Sequence, residues 1–177
     1  APDPSVVGQA VTVGFSVTSA GGTPTGNVTV SDGTVSCVGT VAVPNCALTF
    51  TIAGAKTLTA TYAGDVNFAG SVSAGVAHGV NQAATTAVIS SHTPDPSPRG
   101  AAVGVAWTVT PTAPGAGTPT GNVTVSDGVN TCVAAVGLGG CSVTLNTVGT
   151  RPLTATYVGD GNFSGSVSPV VNHTVTL

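Results

Sequence analysis

The chain has 177 residues, which is enough for two small domains of about 88 residues each. Charged residues make up 5% of it and only three are Lys or Arg, so it lacks the clustered cations that nucleic-acid binding or an anionic membrane surface requires. No stretch reaches the roughly 18 consecutive apolar residues of a membrane span, so no membrane insertion is expected.

Short runs of alternating apolar and polar residues follow one another along the first half of the chain, separated by turn residues. They cover residues 11–17, 27–31, 47–52, 57–62 and 71–76. A period of two and many β-branched residues predict strands, with the apolar positions of each run on one face. In the run 47–52, for example, Leu48, Phe50 and Ile52 are expected to face the core. The sequence therefore predicts an all-β protein built from sandwiches.

The second half of the chain repeats the first. The segment 22–33, GTPTGNVTVSDG, returns letter for letter at 117–128, 95 residues later, and the same offset continues to the end of the chain. Upstream of this segment the offset is 92, which relates Asp3 to Asp95 and Phe15 to Trp107. An internal repeat of this length predicts two copies of one domain. We place them at residues 1–81 and 82–177, joined by a four-residue linker at 81–84, and expect them to lie end to end.

Three features resemble the bacterial immunoglobulin-like repeats found in tandem in secreted and surface proteins. They are the segment 22–33, the pair Cys37 and Cys46, and LTATYAGDVNF at 58–68, each with its counterpart 95 residues on. The resemblance implies two tandem immunoglobulin-like β-sandwiches in an extracellular, structural or adhesive protein. It implies no catalytic residues.

The two copies differ at their starts. Residues 84–92 precede Pro94 in the second copy and are expected to form its first strand, whereas only Ala1 precedes Pro2 in the first copy. The first domain is therefore expected to lack its first strand, which leaves a sheet edge open. A strand resembling residues 85–91 is expected to fill that edge, either from the same longer chain, the preferred source, or from a neighbouring subunit.

Four cysteines without C-x-x-C spacing predict disulfides and an oxidising compartment outside the cytoplasm. Because each repeat has its own pair at matching positions, we expect Cys37–Cys46 and Cys132–Cys141 rather than cross-repeat pairing, each bridge spanning an irregular loop. Closing a loop of roughly ten residues stabilises a domain by about 2.5–3 kcal/mol. A redox or metal pair is disfavoured, since the spacing suits neither.

Other polar residues are interpreted mainly as structural. Weak calcium binding at Asp65/Asn67 and Asp160/Asn162 is the alternative to turn stabilisation, which is preferred because each turn has one acid. The parity of the last strand places His78 and His173 on an apolar face, as partly buried, hydrogen-bonded side chains at a domain junction, with a pH-sensitive contact as the alternative. No metal or cofactor is expected.

No Ser-His-Asp or Cys-His spacing indicates catalysis, so an enzyme is not expected. The leading hypothesis is a structural or adhesive surface protein, fibre or sheath whose partners are other copies of the same or adjacent repeats; any cell-surface or glycan ligand is left unidentified. The alternative is a passive spacer or a carbohydrate-binding accessory module of a secreted hydrolase. Inward-facing aromatics disfavour stacking on sugars.

Overall fold

The computed structural model describes residues 2–177. The chain divides into two compact units, Ala1–Asn81 (unit 1) and Gln82–Leu177 (unit 2). Within the described residues both units consist of strands and loops, apart from a 3₁₀ turn at Val136–Leu138 in unit 2. In the same part of the chain, no helix is long and apolar enough to span a bilayer. The all-β prediction is confirmed.

Unit 1 contains eight strands. They are β1 (Ser5–Val6), β2 (Ala10–Gly14), β3 (Asn27–Ser31), β4 (Ser36–Thr40), β5 (Asn45–Thr49), β6 (Gly54–Tyr62), β7 (Ser71–Val72) and β8 (Val76–Asn81). The larger sheet has the order β1-β8-β6-β3-β4, with β7 also on β6, and the smaller sheet is the antiparallel pair β2-β5. Among the described strands of unit 1, β1 alone pairs in parallel, with β8.

Unit 2 contains nine strands. They are β9 (Thr85–Thr93), β10 (Ser97–Pro98), β11 (Ala102–Pro111), β12 (Asn122–Ser126), β13 (Thr131–Ala135), β14 (Gly140–Thr144), β15 (Gly149–Gly159), β16 (Ser164–Val167) and β17 (Val171–Thr176). The larger sheet, β10-β17-β15-β12-β13 with β16 on β15, matches that of unit 1. The smaller sheet has three strands in the order β14-β11-β9.

Alternate valines build the core of each unit. Val28 and Val30 of β3 are each 1% exposed, and their counterparts Val123 and Val125 of β12 are 0% exposed. The intervening threonines stay half-buried. Burying one such aliphatic side chain stabilises the fold by about 1.5–3 kcal/mol, so the period-two pattern fixes which face of each strand meets the opposite sheet.

The predicted strand over residues 47–52 is wrong in its second half. β5 ends at Thr49, and residues 51–52 form a bend. Leu48 and Phe50 are each 2% exposed, as expected for the core face, but Ile52 is 61% exposed. The alternation of side chains does not continue through a bend, so Ile52 points away from the core.

The predicted strand over residues 71–76 is interrupted and forms parts of two strands, β7 and β8. The corresponding strand of unit 2 is interrupted in the same way, between β16 and β17. In unit 2 the Oγ of Ser168 accepts a hydrogen bond from the N–H of Ala155, and the N–H of Ser168 donates to the carbonyl of Ala155, both at 2.9 Å. The interruption changes the side-chain parity. Uninterrupted alternation back from His173 would place Val167 on the core face, but Val167 is 61% exposed.

Residues 81–84, which were predicted to be a linker, are hydrogen-bonded parts of the two units. β8 extends to Asn81. The N–H of Ala83 then donates to the carbonyl of Asn162, and the carbonyl of Ala83 accepts from the N–H of Ser164, both at 2.9 Å. The segment after Asn81 is therefore part of unit 2.

Candidate functional site: an open sheet edge in unit 1

The strand β2 has an open edge. Within the described residues its only partner is β5, whereas its counterpart in unit 2, β11, pairs with β14 on one side and β9 on the other. No described strand of unit 1 corresponds to β9. A strand edge of this kind presents unpaired N–H and C=O groups and is a template for another strand.

The open edge explains why β2 has five residues and β11 has ten. In unit 2, β14 pairs only with residues 102–106 of β11, and β9 alone pairs with residues 107–111. The counterpart of that second half, residues 15–19, forms no strand in unit 1. The predicted strand over 11–17 is therefore wrong beyond Gly14, because the second half has no pairing partner among the described residues.

A cavity of about 290 Å³ lies beside this edge. Its lining is mainly apolar and includes Val13, Phe15, Val30, Leu58, Ala60, Ser73 and Val76. Well-packed interiors contain few voids larger than a water molecule, so space of this size against apolar walls is a place where side chains can dock. We call β2, residues 15–17 and this cavity the acceptor groove.

The positions that line the groove in unit 1 are buried in unit 2. Four counterparts of groove residues are buried there, namely Val105, Trp107, Ala155 and Ser168, at 2, 3, 0 and 5% exposure. In unit 1, Val13, Phe15 and Ala60 are only half-buried and Ser73 is exposed. Because the two units are sequence repeats with equivalent larger sheets, this difference is attributable to β9, which has no counterpart among the described residues of unit 1.

β9 shows what closes the groove. It runs antiparallel to β11 and places Ile89 opposite Trp107 and Ala87 opposite Val109. Ala87 is 1% and Ile89 7% exposed, while Val88 between them is 42% exposed. The groove of unit 1 therefore fits an extended segment with a small or aliphatic side chain at every second position.

Asp65 closes a turn with both of its carboxylate oxygens. Oδ1 accepts hydrogen bonds from the N–H groups of Asn67 and Phe68, at 2.8 and 2.9 Å, and Oδ2 accepts from the N–H and the hydroxyl of Thr25, both at 2.8 Å. The N–H of Asn67, followed by that of Thr25, holds the pKa of Asp65 well below its usual range. At the adjacent Gly64, φ is 89° and a Cβ would lie 2.9 Å from the carbonyl oxygen of Phe68, so the turn requires glycine.

Asp160 makes the corresponding four hydrogen bonds in unit 2, with Asn162, Phe163 and the N–H and hydroxyl of Thr120, at 2.6–2.8 Å. Burial raises the pKa of Asp160, but the hydrogen bonds, led by the Thr120 hydroxyl, outweigh it and lower the pKa to about 2. Since four donors occupy each carboxylate, the geometry favours turn stabilisation over calcium binding.

The cysteines join the two sheets within each sandwich. Cys37 of β4 is bonded to Cys46 of β5, and Cys132 of β13 to Cys141 of β14, with Cα atoms 5.8 and 6.0 Å apart. β4 and β13 belong to the larger sheets, and β5 and β14 belong to the smaller ones. The connection is a bend in unit 1 and the 3₁₀ turn in unit 2. Each bridge therefore ties the sheets at the end of an irregular loop.

His78 and His173 are buried, as the sequence predicted, at 6 and 0% exposure. The Nε2 of His78 lies 2.9 Å from the hydroxyl of Ser5, and its Nδ1 lies 3.4 Å from Asp3. In unit 2 the Nε2 of His173 lies 2.9 Å from the hydroxyl of Ser97. These contacts lie within single units and join a parallel edge strand, β1 or β10, to the last strand of the sandwich.

Unit 2 adds a second imidazole, which the sequence analysis missed. The Nδ1 of His92 lies 3.0 Å from the Nδ1 of His173 and 3.7 Å from Oδ2 of Asp95. Burial lowers the pKa of His173; the charge of Asp95 opposes this and that of His92 adds to it. His92 is on β9 and His173 on β17, in different sheets. The three-residue spacing between His92 and Asp95 is therefore the one feature of the sequence that indicates this cluster.

Two disulfide-linked sandwiches with equivalent larger sheets define a tandem immunoglobulin-like protein. The chain belongs to the family of bacterial Ig-like domains (group 3), which matches residues 1–81 and 89–176. The family resemblance and the prediction of two tandem immunoglobulin-like domains are thus confirmed. Domains of this family are typically non-catalytic modules.

Among solved structures, the chain is similar to the fibronectin(III)-like modules of Clostridium thermocellum CbhA. The sequence identity is 14% and the TM-score 0.39, over 100% of this chain and 90% of that chain. No curated protein sequence matches the chain.

Proposed function

We propose that the chain is a structural module of an extracellular bacterial protein, and that a β-strand from another repeat completes unit 1. The observation that carries the proposal is the contrast between two equivalent strands. Among the described residues β2 pairs with one strand, β5, whereas β11 pairs with two, β14 and β9. Strand addition to such an edge gains main-chain hydrogen bonds, and alternate side chains filling a groove provide specificity.

An extracellular location is supported by the family and by the two disulfides, which persist in oxidising compartments. The scarcity of charge supports association between repeats. With 5% charged residues, uncharged strand edges approach one another without like-charge repulsion.

The donor is a segment with the pattern of β9, carrying aliphatic side chains at the positions of Ala87 and Ile89. The preferred source is an adjacent repeat in the same longer chain, and the other source is a neighbouring copy. Electron microscopy of the native material separates them: donation between copies gives filaments, and donation within a chain gives dispersed particles.

A carbohydrate-binding accessory role is supported less well. Stacking on sugar rings needs exposed aromatic faces. The seven aromatic side chains all lie within the described residues; Phe15 and Phe68 are half-buried and the other five are buried. A passive spacer differs from the proposal only in leaving the acceptor groove without an occupant, so strand binding separates the two.

A synthetic peptide with the sequence of residues 83–93 tests the proposal directly. Titrated calorimetrically into the 177-residue chain, it should bind with a stoichiometry of one, and a peptide carrying Ala87→Asp and Ile89→Asp should not. Absence of binding, or equal binding of the two peptides, contradicts the proposal.

Variants of the chain locate the peptide. Ala60→Leu places extra atoms in the groove and should weaken peptide binding, while Val66→Ala, at a residue that is 97% exposed, should leave it unchanged. Equal affinity for both variants would place the peptide elsewhere and contradict the proposal.

A further inference from the structure

Three side chains converge where the chain of unit 2 crosses from one sheet to the other. His92 lies near the end of β9, Asp95 follows in the connection to β10, and His173 lies on β17 of the larger sheet. One ligand atom from each of them lies within 4.8 Å of the others. Within the described residues, this is the one group of three or more His, Cys, Asp or Glu side chains with that geometry.

The distances are close to the edges of a metal coordination tetrahedron. The two Nδ1 atoms are 3.0 Å apart, Oδ2 of Asp95 lies 3.7 Å from the Nδ1 of His92, and Oδ1 of Asp95 lies 3.5 Å from the Nδ1 of His173. Ligands at zinc distances of about 2.0–2.2 Å in a tetrahedron are separated by about 3.3–3.6 Å. A single ion therefore fits between the two Nδ1 atoms and one carboxylate oxygen of Asp95 once the imidazoles move apart by a few tenths of an ångström, and one coordination position remains for water.

The surroundings orient two of these ligands. A metal on Nδ1 of His173 requires the proton to be on Nε2, and the fully buried Ser97 hydroxyl, 2.9 Å away, is positioned to accept it. The N–H of Thr174 donates to Oδ1 of Asp95 at 2.9 Å, which holds the carboxylate while Oδ2 still faces His92. Hydrogen bonds of this kind fix the tautomer and direction of metal ligands.

We propose that His92, Asp95 and His173 form a binding site for a divalent cation of the zinc type. Two imidazoles and one carboxylate suit zinc and its neighbours in the first transition row, whereas calcium and magnesium prefer sites made of oxygen ligands only. The ion links β9 of the smaller sheet to β17 of the larger one. Its role is therefore to fasten the first strand of the sandwich to the last.

Unit 1 contains two of the three corresponding ligand residues. Asp3 and His78 correspond to Asp95 and His173, with Nδ1 of His78 3.4 Å from Oδ1 of Asp3. The position of His92 belongs to β9, which has no counterpart among the described strands of unit 1. This extension rests on the proposed function: a donor strand that carries a histidine at that position completes a second site and is held in the groove by the ion.

Zinc titration of the metal-free 177-residue chain at pH 7.5, by calorimetry against a competing chelator, tests the site in unit 2. We expect one zinc per chain, a rise in the melting temperature of unit 2, and no comparable response to calcium or magnesium. Cobalt bound at the same site should give the visible absorption of a tetrahedral complex.

His92→Gln and Asp95→Asn should each weaken zinc binding by at least about tenfold. Val129→Ala, at a residue of unit 2 that is 71% exposed, is the control and should leave the affinity unchanged. Both ligand positions are near the surface, and unchanged circular dichroism verifies that the variants fold. Absence of zinc binding, or binding that both variants retain in full, overturns the proposal and leaves a direct His92–His173 hydrogen bond in its place.

The peptide of residues 83–93 separates this inference from the proposed function. Zinc should increase the affinity of the peptide for unit 1. A peptide with His92→Ala should still bind unit 1, but zinc should not increase its affinity. A peptide that binds without any zinc effect overturns the second site alone. A peptide that does not bind overturns the proposed function, while the zinc titration of unit 2 still decides the first site.

Discussion

Trp107 and Phe15 occupy equivalent positions in the two repeats but differ in their surroundings. Trp107 is 3% exposed and lies opposite Ile89 of β9, whereas Phe15 is half-buried at the rim of a cavity of about 290 Å³. Each unit serves as the control for the other, since a substitution can be made at both positions and the difference assigned to the covering strand.

Truncation of these two rings should have unequal effects. Trp107→Ala should destabilise unit 2 by about 3–5 kcal/mol, the usual effect of removing a buried aromatic. Phe15→Ala should destabilise unit 1 by about 1–2 kcal/mol, because its ring is already partly exposed to water. Chemical denaturation of both variants measures the difference, and equal losses would show that β9 does not alter this position.

Enlarging a small residue should have opposite effects in the two units. Ala155 is 0% exposed, so Ala155→Leu overpacks a closed core and should destabilise unit 2 by about 1–3 kcal/mol. Ala60 lines the cavity, so Ala60→Leu should be neutral or stabilising. Thermal unfolding of the two variants tests this, and a comparable loss for Ala60→Leu would mean that the groove does not hold free space.

The ion pair between Arg151 and the buried Asp127 should contribute more to the stability of unit 2 than Lys56, at the corresponding position, contributes to that of unit 1. Arg151 Nε donates to Oδ2 of Asp127 at 2.8 Å, and the Asp127 side chain is 0% exposed. Arg151→Met leaves that carboxylate without its cation and should destabilise unit 2 by about 3 kcal/mol. Lys56→Met, at the corresponding position of unit 1, should change stability by less than about 1 kcal/mol. Denaturant titration compares them, and similar effects would contradict the account.

Acid should destabilise the fold below about pH 4. The pKa of Asp160 is lowered to about 2 in the folded state, compared with about 3.9 in an unfolded chain. A lowered pKa means that this carboxylate contributes stability above pH 4, and that the contribution is lost as the pH falls toward 2. The melting temperature should fall over that window and fall less in Asp160→Asn. A wild-type melting temperature that stays constant from pH 5 to pH 2 would contradict this.

Much of the fold could be predicted from the sequence because repetition and period-two alternation are local signals. The core roles of Val28 and Phe50 follow from parity alone, and the lack of a counterpart of β9 among the described residues of unit 1 follows from comparing the starts of the repeats. Parity fails where a strand is interrupted, as at Ile52 and Val167. A bend or bulge changes the face of every later residue without a marker in composition.

The histidine cluster and the cavity lay beyond sequence reasoning for a different reason. His92 and His173 are 81 residues apart and meet only because their two sheets pack together where β9 ends. The cavity depends on a strand pairing that residues 15–17 do not have, and no residue in that segment differs enough from its counterpart to reveal it.

Hydrogen exchange at residues 16–18 tests the central claim most directly, with residues 108–110 as the internal reference. The reference segment lies in β11 and pairs with β9, whereas residues 16–18 lie outside any strand. The account predicts fast exchange at 16–18 and slow exchange at 108–110 in the chain alone, with protection at 16–18 once the peptide of residues 83–93 is added. Equal protection of both segments without peptide, or no added protection with it, would contradict the account.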